Sequence, residues 1–405
     1  MAAVDPLRRQ YFFAFAILGS VLPYLSVWLE GRGLSEREVG YVLATTGVGV
    51  MISPLLLTLL ADTRVQPRRL LAVQMLGASA SACLMLLSHG FVPLLLAHLL
   101  FALAMTPVMP LQDSLLFSQQ RREGGNGGKT TPYHKVRVFG TLGFLLPSVT
   151  LFAHLQLGGS LDWALGLTAV FGVLGAINTR WMPERDRTAD APADNAPSRQ
   201  LPTIDAFRSV MRPDALVFAG AMWLLYMSMS AYYTFYPILL TRSPADFGAG
   251  IAEKWIGLIA NVGVMIELPF MLAFGWLLRK LGLRWLMAVG AAAMALRMGL
   301  LWVAPLPAVA VGTQALHGMM VLVLHVAPPV FFNRFAAERY RSSVQGLYAV
   351  AIMGTGRIVG NVTAGEVAEV SLRGAFLYAT LMAAAAAGLF AFAFRPRGAA
   401  ASVEA

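Results

Sequence analysis

Residues 255–278 read WIGLIANVGVMIELPFMLAFGWLL, an apolar run long enough to cross a bilayer with one carboxylate, Glu267, near its middle. A charge at that depth is costly unless it is paired, protonated or facing a wet cavity, and chains keep such residues mainly where ions or solutes must pass. Three more ionisable residues, Arg297, His317 and Arg357, fall at similar depth in the apolar runs that follow. The stretch sets two expectations: a helical membrane protein, and a polar cluster inside its second half.

The composition agrees. The chain has 405 residues, 57% hydrophobic and 13% charged, about half the roughly 25% charged residues of a soluble domain. An aqueous globular domain is excluded. A net charge of +10 raises the question of nucleic acid. The basic residues, however, lie in short gaps between apolar runs and form no basic face, so no nucleic-acid partner is expected. The single cysteine, Cys83, excludes an internal disulfide and a cysteine metal site, and is expected to be a small buried apolar residue in a helix. Gly124 to Gly128 (GGNGG) lacks the Lys-Ser/Thr of a phosphate loop and reads as a flexible linker. No metal cluster or nucleophile–base pair stands out, so neither an enzyme nor a cofactor is expected. The first apolar run, Tyr11 to Leu29, precedes Glu30-Gly-Arg without a small-x-small cleavage site and reads as a retained helix.

Splitting the chain at charges and Gly/Pro clusters gives twelve candidate spans: 11–29, 38–61, 70–88, 91–117, 135–157 and 161–180, then 213–240, 253–278, 283–303, 306–332, 343–366 and 371–394. The expected organisation is an amino-terminal six-helix bundle (1–182), a cytoplasmic Pro/Ala/Asp/Arg-rich linker (183–212), and a carboxy-terminal six-helix bundle with a short tail (213–405). All but eight of the 31 basic residues fall on one side of this topology. Five lie opposite (Arg32, Arg37, Arg242, Lys254 and Arg373) and three lie within spans (Arg137, Arg297 and Arg357). That bias places both termini in the cytoplasm. Gly33, Glu36 and Gly40 recur 217 residues later as Gly250, Glu253 and Gly257, and the same shift carries the Asp62 loop onto the Arg279 loop. Parallel six-helix repeats with a midplane site at their interface are the pattern of the major facilitator fold.

Gly275-Trp-Leu-Leu-Arg279-Lys280-Leu-Gly282-Leu-Arg284 resembles the second-half loop signature of the major facilitator superfamily. Its first-half copy keeps Asp62, Arg64, Arg68 and Arg69 but has Thr58 and Val65 where glycines are usual. The resemblance implies a conformational gate at Asp62, Arg68, Gly275, Arg279, Lys280 and Gly282. Further segments are similar to the phenylpropionate permease group, a relative of lactose permease and the nucleoside–proton symporters. They are YLSVWLEGRGLS (Tyr24 to Ser35), PLQD (Pro110 to Asp113), VRVFGTLGF (Val136 to Phe144), ELPFMLAFGWLLRKLG (Glu267 to Gly282), ALR (Ala295 to Arg297), QALH (Gln314 to His317) and VQGLY (Val344 to Tyr348).

Counting inward from the loops gives Asp113 and Arg137 comparable depth, which makes an ion pair feasible. Lactose permease uses an acid and an arginine on the matching helices to hold its sugar, so the resemblance implies Asp113 and Arg137 as substrate ligands. Lactose permease-like symporters couple protons through an arginine, a histidine and acids. Arg297 and His317 match by position, whereas Met320 stands where the acid one turn after the histidine belongs. Glu267 is then the remaining protonatable carboxylate, with His317 its partner in proton coupling. Two acids, Asp113 and Glu267, oppose three arginines, Arg137, Arg297 and Arg357, leaving one excess positive charge that an incoming carboxylate would offset. Arg297 and Arg357 join the substrate-binding candidates. Tyr24, Trp28, Tyr226, Tyr232, Tyr233 and Tyr236 can stack on a ring, with packing the commoner use of such residues.

The expectation is an all-α integral membrane carrier of twelve transmembrane helices in two pseudo-symmetric bundles. It would move a small organic solute, favoured as an organic or aromatic acid anion, with protons across a bacterial inner membrane, working as a monomer in the lipid bilayer. Two alternatives stand beside it: a proton-antiport exporter on the same fold, and a non-transporting membrane sensor or assembly partner.

Overall fold

Backbone groups in hydrocarbon must be satisfied within their own segment, so apolar runs of this length fold as helices. The computed structural model describes residues 5–61, 66–125, 131–182, 211–329, 331 and 341–395, and these are helical with no strand among them. Asp62 and residues 183–210 of the expected linker lie outside the described residues. The first sequence half contains α1 (Asp5–Val21), α2 (Leu25–Gly31), α3 (Glu36–Ala61), α4 (Pro67–Leu87), α5 (Phe91–Met105), α6 (Val108–Gly125), α7 (Tyr133–Gln156) and α8 (Asp162–Asn178). The second contains α9 (Pro213–Thr241), α10 (Ile256–Val303), α11 (Pro307–Gly312), α12 (His317–Val321), α13 (Arg341–Tyr348), α14 (Thr355–Val370) and α15 (Leu372–Gly388). Proline opens α4, α9 and α11, where its missing N–H costs nothing.

Among the described residues, eight helices are long and apolar enough to span a membrane, or nine if α1 and α2, bent by 41°, form one span. One of the eight, Glu253–Val303, has 51 residues. At 1.5 Å per residue it would be roughly 76 Å long, more than twice the bilayer core. The chain breaks it at Gly282, with φ 69° and ψ 163°, a conformation that only glycine adopts cheaply. The expected spans 253–278 and 283–303 are thus two helices meeting at that kink.

The outer surface is apolar, as a lipid-facing surface must be. On α4 the exposed face carries Val73, Leu76, Leu84 and Leu87. Cys83 lies on that same face and is exposed, which corrects the expectation of burial. In a membrane protein the outside is as apolar as the core, so an apolar residue type does not reveal which of the two it faces.

The chain divides into two compact units. One comprises Met1–Leu34, Val48–Ser198 and Lys254–Leu258, the other Ser35–Gly47, Arg199–Glu253 and Ile259–Ala405. Each unit takes a short segment from the other sequence half, and the two insertions obey the 217-residue repeat. In the second unit a Cβ on Gly40 would lie 2.8 Å from Gly365 Cα; in the first, a Cβ on Gly257 would lie 2.8 Å from Ser148 Cβ. The shift that carries position 40 to 257 also carries 148 to 365, so the contacts are equivalent. Gly33 and Gly250, another repeat pair, both have positive φ, 85° and 64°.

All five basic residues expected on the arginine-poor side are held by neighbours within their own unit. Arg32 pairs with Asp162 at 2.8 Å, Arg37 with Glu366 at 3.0 Å and Arg242 with Glu36 at 2.7 Å. Lys254 donates to Gln156 Oε1 at 2.7 Å, and Arg373 stands 5.6 Å over the Phe247 ring.

Candidate functional site

The second unit buries a guanidinium. Arg297, on α10 beyond the Gly282 kink, has no exposed surface. Its Nη1 meets His317 Nδ1 at 2.7 Å, and its Nη2 donates to Gln314 Oε1 at 2.8 Å and to the Tyr232 hydroxyl. The guanidinium lies 4.1 Å over the Tyr232 ring and 5.6 Å from that of Tyr236. Helical spacing makes the cage: Tyr232 and Tyr236 are one turn apart on α9, and Gln314 and His317 are one turn apart before and within α12. Gln314 Nε2 donates to Tyr236 at 3.1 Å, and Tyr236 passes its own proton to Ala310 O at 2.8 Å. On the far side of the imidazole, His317 Nε2 lies 3.0 Å from Glu267 Oε1.

This chain of contacts fixes a protonation state. A guanidinium only donates, so His317 Nδ1 must accept, and the imidazole proton sits on Nε2, where it is donated to Glu267. His317 is therefore neutral, with the imidazole relaying between Arg297 and the Glu267 carboxyl group. Protonating His317 at Nδ1 would break its bond to Arg297 and set two cations together. A proton on Glu267 disturbs neither contact.

Arg357, on α14, lies apart from this relay. It stands 5.9 Å from the Tyr226 ring centroid, and its buried Nε has no hydrogen-bond partner. Among the described residues no carboxylate comes within ion-pair distance of it. Tyr226 donates to Leu324 O at 3.0 Å and receives a weaker contact from Tyr348 at 3.4 Å. Two π-helical turns flank this region, Leu322–Val326 and Ala349–Gly354. Such turns shift side-chain register, and they are frequent at functional sites.

In the first unit Asp113 accepts from Tyr11 and, at 3.3 Å, from Tyr133. Arg137 stacks over Phe15 at 3.9 Å. Asp113 and Arg137, readable from sequence as a feasible ion pair, are not in direct contact; tyrosine hydroxyls satisfy the acid and an aromatic face receives the cation. Arg137→Ala is expected to weaken substrate binding about tenfold, the scale of a cation–π or hydrogen-bonded contact, with folding intact. Calorimetric titration of the purified variant checks this, and wild-type affinity would make Arg137 structural.

The gate candidates divide. Gly282 makes the kink, Lys280 sits 4.9 Å over Trp276, and Arg68 Nη1 donates to Met182 O at 3.3 Å. Gly275 has only the Arg279 side chain near its missing Cβ, at 3.6 Å, so packing does not demand glycine there. Trp28 is committed elsewhere: its Nε1 donates to Asp162 at 2.7 Å. Tyr11, Tyr133, Phe15 and Gln314 are the participants that sequence reasoning assigned no role. Gln314 alone carried a signal, sitting one turn before His317 within QALH.

Polar clusters buried inside an all-helical, lipid-faced protein define a membrane carrier. Residues 6–378 match the MFS_1-like family, and the chain belongs to that family: it is a major facilitator transporter and not an enzyme. Among curated relatives, the Probable 3-phenylpropionic acid transporter of Escherichia coli (strain K12) is 26% identical over 395 residues, 92% of each chain. The xanthosine permease of the same organism is 24% identical over 386 residues, 90% of this chain and 88% of its own. The crystal structure of the nucleoside transporter NupG superposes with a TM-score of 0.83 at 20% identity, over 98% of this chain and all of that one.

Proposed function

We propose that this transporter is a twelve-span, monomeric secondary carrier of the bacterial inner membrane, with both termini cytoplasmic. It takes an organic acid anion, favoured as an aromatic acid, together with protons by alternating access. The observation that carries the reading is the charge inventory of the second unit's clusters. Two guanidinium groups, Arg297 and Arg357, are set against one carboxylate, Glu267, which reaches Arg297 only through neutral His317. A proton added to Glu267 removes the compensating charge and leaves the cluster attractive to an anion. Proton and anion then favour each other's binding, as reciprocal coupling requires. Arg357 is the substrate-facing cation of this pair, with Tyr226 beside it. Arg297, caged by its own chain, sets the charge and geometry of the relay instead.

The relatives favour a second reading, a nucleoside as cargo, since among them are a xanthosine permease and a nucleoside permease. Proteoliposomes with an acid exterior separate the two. Labelled aromatic acids are expected to accumulate. Arg357→Gln should cut that uptake more than tenfold, the cost of stranding one charge partner, with a smaller effect on nucleosides. Equal losses, or accumulation of nucleosides alone, would reject the anion. Movement outward against an opposing proton gradient would favour the exporter.

A further inference from the structure

The first unit carries a second polar feature, distant in sequence from the residues of the relay. Helices α4 and α8 pack antiparallel: Ser79 Oγ donates to Ala169 O at 2.7 Å, and Arg68 reaches Met182 O. Small residues allow the close approach, a Cβ on Gly172 meeting Met75 O at 2.8 Å. Where α4 begins and α8 ends, the pair opens into a groove of about 470 Å³. Its lining includes Arg68, Arg69, Arg180, Thr179, Leu76 and Ile177, and no carboxylate among the described residues.

The groove is amphipathic along its length. Three arginines line it together with the apolar Leu76 and Ile177, which are 49% and 38% exposed on α4 and α8. Beside the arginines stands Trp181, 60% exposed, with Arg9 stacked 5.7 Å over its ring. Exposed tryptophan among arginines at helix ends marks the headgroup level of a bilayer. Among the described residues neither Arg69 nor Arg180 has a carboxylate within ion-pair distance.

We infer that this groove binds an anionic glycerophospholipid, its phosphate held by Arg69 and Arg180 and an acyl chain lying along Leu76 and Ile177. Basic pockets between transmembrane helices have the chemistry for such headgroups, and the apolar continuation favours a lipid over a free anion. The inference stands apart from the substrate reading, since the groove shares no residue with the relay.

The test is native mass spectrometry of the full-length protein in detergent, titrated with phosphatidylglycerol and, separately, phosphatidylcholine. The wild type is expected to retain phosphatidylglycerol preferentially. Arg69→Gln combined with Arg180→Gln should weaken that retention roughly tenfold or more. A control with Lys135→Gln and Arg395→Gln, which removes equal charge from other basic segments, should leave it unchanged. Equal retention by wild type and groove variant overturns the proposal, as does an equal loss in the control. Displacement of the lipid by millimolar inorganic phosphate would also overturn it, showing a soluble-anion site in its place.

Discussion

Glu267→Gln is expected to abolish proton-driven accumulation, reducing it to the level of protein-free vesicles, while exchange of labelled for unlabelled substrate continues. The amide is nearly isosteric, and its oxygen can still accept from His317 Nε2, so the contact at 3.0 Å survives. What disappears is the ability to take up and release a proton. An amide also leaves the Arg297 charge permanently uncompensated, which mimics the loaded state and should preserve anion binding. Uptake driven by an imposed pH gradient and counterflow at equal pH are the two measurements. Wild-type response to the gradient would remove Glu267 from coupling altogether.

The second large effect is on folding. Arg297→Leu should destabilise the protein by about 3–5 kcal/mol, the range for removing one partner of a buried charge network. The arginine has no solvent exposure, and its loss strands the Gln314 and Tyr232 oxygens and His317 Nδ1 together. It also leaves Glu267 beside a histidine with no cation behind it. The double variant Arg297→Leu, Glu267→Leu should regain most of that stability without regaining transport, because apolar packing replaces a buried pair more easily than it replaces half of one. Thermal unfolding in detergent of single and double variants reads the coupling. Independent, additive losses would mean that His317 does not link the two charges.

The residues that made the sequence legible were those most out of place in it. Glu267, Arg297 and His317 lay far apart in the chain at similar depth, and the structure brings them into one relay. Depth counting succeeded there because helix rise per residue is fixed, so distance from a loop converts directly into height. The same counting placed Asp113 and Arg137 at one height yet not in contact, because it says nothing about rotation of a helix around its axis. Cys83 failed for a related reason, since lipid and protein interior select the same residue types.

The chain by itself determined its class. Apolar runs of bilayer length, a lopsided distribution of basic residues and a 217-residue echo follow from rules acting locally along the chain: backbone satisfaction in hydrocarbon, charge at the interface, glycine where φ is positive. Which partner each buried charge takes was decided by tertiary structure alone. Tyr11 reaches Asp113 across 102 residues and Tyr232 reaches Arg297 across 65. Hydrogen bonds of that kind depend on how neighbouring helices are turned toward one another, a property of packing that no single helix carries in its sequence.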